Sequence, residues 1–119
     1  YFVINLNKRK KDIRNLVRQV ENTVIKFLKI YKIESYADKK DIGIWVKKRK
    51  IAAIGIRVSR WVAYHGFSIN IKNNLDDYKK IIPCGLDNRN VTSIKNEKKK
   101  FFKIKKNLKK IFFEHIVRV

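Results

Sequence analysis

The apolar residues of this chain change their period part-way along it, and that change limits the fold more than any single motif does. From 11 to 31 they recur at helical spacing, as Ile13, Leu16, Val17, Val20, Val24, Phe27 and Leu28. Arg14, Arg18, Glu21 and Lys26 hold the other side. Phe67, Ile69 and Ile71 alternate instead with Ser68 and Asn70, the period-two pattern of a strand with one buried face. A chain with one long amphipathic helix ahead of a run of strands hides its apolar surface by laying the helix on a sheet.

The remaining segments fit that plan. Residues 1–6 read as a strand, 44–46 as another, and 50–58 as a third, with Lys47, Lys48 and Arg49 as a basic turn between them. Residues 61–71 read as a strand interrupted at His65 and Gly66. The stretch 31–41 loses all period and reads as a polar connection, and 75–80 as one helical turn. Residues 91–94 form a brief strand or the approach to a helix, capped by Thr92 or Ser93. A last helix over 97–116 carries the stripe Phe101, Ile104, Leu108, Ile111 and Phe112 under a lysine-covered outer face. The expectation is an α+β fold: a mixed, largely antiparallel sheet with helices packed on one side. Residues 1–119 form a single domain, with no repeat and no linker.

Charge narrows the partners only in sign. Lys and Arg number 31 against 10 acidic residues, a formal charge of +21. Nucleic acid, an anionic membrane and an acidic protein would all be attracted. The lysines are spread over every segment, as a lysine-rich proteome would also produce. Aromatic residues do not interleave with them in a nucleic-acid-binding pattern, so nucleic acid is not expected as a partner. No apolar run approaches the length that spans a bilayer. The expected setting is cytoplasmic. Phosphate loops, dinucleotide fingerprints and zinc-ligand spacings do not occur in the chain.

Few residues are left to carry chemistry. Cys84 is the only cysteine, so it has no disulfide partner within the chain. It reads either as a small buried apolar side chain or as a nucleophile on the turn Pro83-Cys84-Gly85, with the amides of Gly85 and Leu86 near enough to hold an oxyanion. Lys50 opens a strand, where alternation can direct its side chain inward. It reads either as a surface lysine or as an amine that takes protons. Gly55 and Gly66 lie inside strands, where glycine marks a bulge or a close approach to the backbone. His65 reads either as a base or as a structural side chain on its strand, and the distant His115 as a partly buried or solvated position late in the last helix.

Two blocks taken together carry a resemblance. Lys50-Ile-Ala-Ala-Ile-Gly-Ile-Arg-Val-Ser-Arg-Trp-Val-Ala-Tyr-His-Gly-Phe-Ser-Ile-Asn-Ile71 is followed by Leu75-Asp76 and by Ile82-Pro83-Cys84-Gly85. In residue types and in the gap between blocks, this resembles the octanoyltransferases of lipoate biosynthesis. The weaker likeness runs from the first strand to Ile94. The resemblance implies a fold similar to the biotin and lipoate protein ligase catalytic domain. It puts the family's nucleophilic cysteine on Cys84 and its working lysine on Lys50, as proton acceptor and as the charge that lowers the thiol's pKa. Substrate-binding positions fall on Ala53, Ile54, Gly55, Gly66, Phe67 and Ser68. The family's upstream Arg-Gly-Gly and His-His-Gly-Pro-Gly-Gln segments are absent, which makes the expected domain N-terminally incomplete.

The implied reaction moves an octanoyl group from acyl carrier protein, through a Cys84 thioester, to a lysine of a lipoyl domain. The implied acceptors are the 2-oxoacid dehydrogenase complexes and the glycine cleavage H protein. No metal, bound cofactor or membrane is called for. Two alternatives stand beside it. One is an ATP-dependent lipoate–protein ligase, which Cys84 in its Pro-Cys-Gly setting disfavours. The other is a non-catalytic basic module for nucleic acid or an acidic protein.

Overall fold

The computed structural model describes residues 1–72, 91–98 and 101–117. The long helix, α1, spans Ile13–Ile30. Asp12 caps its start, the carboxylate accepting from the Asn15 amide at 3.0 Å. At its end Lys32 takes a left-handed φ of 59°. The Lys32 amide donates to the Lys29 carbonyl at 2.9 Å and the Ile33 amide to that of Leu28 at 3.1 Å. Leu28 and Ile33 are both buried beneath this closure, the pattern of a Schellman cap with lysine where glycine is usual. The stripe is buried at Leu16, Val20, Val24, Phe27 and Leu28. Thr23 is buried within it because its hydroxyl donates to the Gln19 carbonyl at 2.7 Å.

Among the described residues, five strands follow the expected order with one addition. β1 is Phe2–Asn5, β2 Tyr36–Ala37, β3 Ile44–Val46, β4 Arg49–Ser59 and β5 Val62–Ile69. They lie in the order β1-β5-β4-β3-β2, and every neighbouring pair is antiparallel. Among the described residues the mixed character comes from a parallel bridge, Lys50 to Val91. Both hairpins close on positive φ at adjacent residues, Lys47 and Lys48 (47° and 66°) and Arg60 and Trp61 (51° and 63°). That is the twist a two-residue hairpin turn needs, and it moves Trp61 out of the strand expected over 61–71. β2 was not expected. It is two exposed residues long and is held by pairing to Trp45 and Ile44.

The helices lie on one side of the sheet, as expected. Val24, Phe27 and Leu28 of α1 share a core with Ile44, Val46, Ile51 and Ala52. Leu16 and Val20 share another with Ile4, Ala63 and Ile116. The last helix differs from the expectation of one element over 97–116. A short helix, α2, covers Ile94–Glu97. Lys103 then adopts a left-handed φ of 49°, α3 runs Ile104–Phe112, and a π-helical turn closes Phe113–Val117. The break lets Tyr31 reach across: its hydroxyl donates to the Phe102 carbonyl at 2.6 Å and accepts from Asn107 Nδ2 at 3.1 Å. Ser93 is the cap of α2, accepting from the Asn96 amide at 3.2 Å. The expected helical turn at 75–80, the Pro83-Cys84-Gly85 turn and the loop at 86–90 lie outside the described residues.

Candidate active site

A break in alternation sets the site. Opposite β3, the register of β4 slips between Ile44 and Trp45, so that Ile44 faces Ala52 while Trp45 faces Lys50. One extra residue, Ile51, is therefore accommodated as a bulge. Ile51 and Ala52 are consecutive, yet both are buried in the core under the helices. Strict alternation would have put Lys50 on that helix side with Ala52 and Ile54. The bulge turns it to the opposite, open face, where the Lys50 Nζ stands 5.8 Å from the centre of the Trp45 ring. The expected inward-pointing lysine is thus a half-buried lysine on the uncovered side of the sheet.

Beyond the bulge the open face carries small groups. Three successive cross-strand pairs join β4 to β5 there: Ala53 with Ser68, Ile54 with Phe67, and Gly55 with Gly66. These are the six positions singled out as substrate-binding, and all six line one hollow of about 420 Å³. The two sequence segments are partners in register, which is why they meet. Ile54 and Phe67 also pack against the core, so their backbone forms the floor of the hollow.

The two glycines differ in kind. Gly66 has φ of +148°, and a Cβ there would lie 3.3 Å from Phe2 ring carbons, so the fold itself needs the glycine. A Cβ on Gly55 would meet nothing within 4 Å. Nothing among the described residues requires glycine at 55.

Tyr1 and His65 complete the lining and were not singled out as lining residues. His65 has a left-handed φ of 71° and is exposed, with its ring 4.8 Å from Tyr64 and 6.2 Å from Tyr1. The interruption expected at His65 and Gly66 is thus a local turning of the backbone that leaves the pairing intact. The pairing of glycine with histidine at that interruption was the available signal. Tyr1 gave none. His115 is half-buried on the π-helical turn, in a different element from the hollow.

Lys50 sits about 10 Å along β4 from Ala53 at the usual strand rise, just outside the hollow. A returning segment docks against it. The Thr92 amide donates to the Lys50 carbonyl at 2.9 Å, and the Ile94 and Lys95 amides donate to Asn70 and Ile71 carbonyls at 2.9 and 2.8 Å. Buried Thr92 donates its hydroxyl to Glu97 Oε1 at 2.7 Å, and Glu97 pairs with Arg49 at 3.3 Å. The chain therefore leaves the sheet beside Ile71 and rejoins it beside Lys50. Cys84 falls in sequence between these two anchors and lies outside the described residues. Among the described residues no group of His, Cys, Asp and Glu is placed to hold a metal ion. No described helix is long and apolar enough to cross a membrane.

Among the described residues the arrangement is a helix-backed antiparallel sheet with an open face of small residues and Lys50 beside it. The chain belongs to the lipoyl protein ligase A/B catalytic domain family, whose model matches residues 1–116. Within that family it is similar to octanoyltransferases. It is 46% identical over 101 residues to that of Rickettsia bellii (79% of this chain, 48% of the relative). It is 38% identical over 109 residues to that of Bartonella tribocorum (81% and 44%). The chain thus spans about half the length of the curated relatives it matches. Solved structures with the same fold include the biotin protein ligase of Aquifex aeolicus, with TM-score 0.74 at 15% identity, covering 98% of this chain and 50% of that one. Another is a putative lipoate protein ligase from T. acidophilum with bound lipoic acid, with TM-score 0.76 at 13% identity, covering 92% and 48%.

Proposed function

We propose that residues 1–119 form one catalytic domain of an octanoyltransferase that works in the cytoplasm through a cysteine thioester. The observation that carries this reading is the sharing of one open sheet face by Lys50 and the cross-strand pairs from Ala53–Ser68 to Gly55–Gly66. Similarity to octanoyltransferases at 46% identity supports the acyl group.

In the first step the Cys84 thiolate attacks the carbonyl carbon of an octanoyl thioester on acyl carrier protein. The new carbon–sulfur bond forms as the carrier's sulfur leaves, and that sulfur takes up a proton. In the second, the amine of a lipoyl-domain lysine attacks the Cys84 thioester. An octanoyl amide forms, the Cys84 sulfur leaves, and one amine proton is lost. Lys50 accepts the thiol proton and passes it to the leaving carrier sulfur, and in the second step it accepts the amine proton and returns it to the leaving Cys84 sulfur. A thioester suits this exchange because it stays reactive toward an amine. The small residues at 53, 55, 66 and 68 leave room for the acyl chain along the sheet. Acyl carrier protein and the lipoyl domains of 2-oxoacid dehydrogenase complexes and of the glycine cleavage H protein are the proposed partners. The formal charge of +21 would speed encounter with acidic proteins.

Intact-protein mass after mixing with octanoyl-loaded acyl carrier protein tests the reading. The expected result is one octanoyl adduct, released by hydroxylamine and missing in Cys84→Ser. Absence of any adduct on the intact protein would overturn it.

A further inference from the structure

Lys50 is hemmed in by two residues of the chain entering and forming β3. A Cβ on Gly43 would run into Lys50 Cε and lie 3.2 Å from its Nζ. Gly43 is buried, with φ of +150°, so the lysine stem lies across a bare backbone. Beside it stands the Trp45 ring, the cross-strand partner of Lys50, with the ammonium 5.8 Å from its centre. The ring is itself fixed, because its indole N–H donates to the Asp41 carbonyl at 3.1 Å. Among the described residues no carboxylate pairs with Lys50. A long flexible amine without an ion pair would ordinarily sample many rotamers.

We propose that Trp45 is a positioning residue, and that with the space left by Gly43 it holds the Lys50 ammonium in one place on the open face. The inference rests on Lys50 being the proton acceptor of the acyl transfer. A cation over an aromatic face is attracted by the ring quadrupole and keeps its charge and solvent access on the far side. Trp45 touches neither acyl group nor thiol in this role. It limits where the amine can be when a proton must move, and small misplacements of such groups are expensive in rate.

The test combines a contact readout with a kinetic one. Lysines of the intact protein are reductively methylated with 13C, which keeps their charge. The Lys50 resonance is assigned as the one missing in Lys50→Arg. It is expected upfield through the Trp45 ring current, to remain displaced in Trp45→Phe, and to return to the ordinary position in Trp45→Leu. In acyl transfer, Trp45→Leu should lower kcat about tenfold with KM changed by less than about twofold, and Trp45→Phe should restore most of it. A Lys50 resonance that is undisplaced in the native protein, or unmoved by Trp45→Leu, would overturn the positioning role without touching the role of Lys50 itself. Full transfer by Lys50→Arg would overturn the role of Lys50, and the positioning role with it, even where the ring contact stands.

Discussion

Ile51 and Ala52 are adjacent in β4, and both are buried on the helix side of the sheet, at 0% and 1% exposure. Two neighbours can share a face only where a bulge absorbs one of them. The consequence falls on the residue before them, since Lys50 then faces away from the helices, on the same side as Ala53 and Gly55. Lys50→Arg keeps charge and stem but replaces an amine that can give up its proton with a guanidinium that cannot. Transfer should fall by about 10²–10⁴-fold. The urea midpoint should stay where it is, because Lys50 is half-exposed and has no ion pair among the described residues. Rates and denaturation curves on the same samples check both halves.

The glycines at 55 and 66 are cross-strand partners but should respond in opposite ways to alanine. Gly66→Ala forces a side chain into φ of +148° and towards the Phe2 ring. It should destabilise by about 1–3 kcal/mol. Gly55→Ala meets nothing in the chain and restricts the unfolded state, so stability should hold or rise by about 0.4–1 kcal/mol. Its methyl group would project into the hollow and should raise KM for the octanoyl donor. Unchanged KM in Gly55→Ala would remove the acyl chain from this part of the sheet.

The hairpin joining β3 to β4 turns on Lys47 and Lys48, both at positive φ. Each non-glycine residue held in the left-handed region costs roughly 1–2 kcal/mol. Replacing the pair by Asn and Gly, the residues this turn favours, should raise stability by about 1 kcal/mol. The amide of residue 48, which donates to the Tyr36 hydroxyl at 3.2 Å, is retained by glycine. Acyl transfer should not change, since neither lysine lines the hollow. The shift in urea midpoint is the measurement.

Some of this was legible in the sequence, and the reasons are local. The α1 stripe shows because five of its residues are buried at helical spacing, and Gly55 and Gly66 show because glycine interrupts apolar strands, while the other lining positions came from the family resemblance. The bulge does not show, since in the run Ile51-Ala-Ala-Ile54 every residue is apolar and none announces itself as the extra one. Without it the face of Lys50 cannot be read. The break at Lys103 is hidden for a related reason, a left-handed residue among lysines with no glycine or proline to mark it. β2 is too short to leave a period and exists because β3 offers an edge. The role of Cys84 came from the resemblance of its Pro-Cys-Gly setting, and its position lies outside the described residues.

Glu97 holds the returning segment against Lys50 through two partners on different elements. It accepts from the buried Thr92 hydroxyl at 2.7 Å and from Arg49 at 3.3 Å, and its own side chain is only 13% exposed. Glu97→Ala removes the acceptor and leaves the Thr92 hydroxyl buried without one, a loss of about 1–3 kcal/mol. The local consequence is more diagnostic than the global one. The Thr92 amide bonds to the Lys50 carbonyl, so its hydrogen exchange reports directly on whether the segment stays docked. Exchange at Thr92 should quicken in Glu97→Ala more than exchange at Val24 in α1, which only global opening exposes. Transfer should fall as well, because the undocked segment is the one that follows Cys84 in the chain. Equal quickening at both amides would mean that Glu97 supports the fold as a whole and has no particular hold on the strand that carries Lys50.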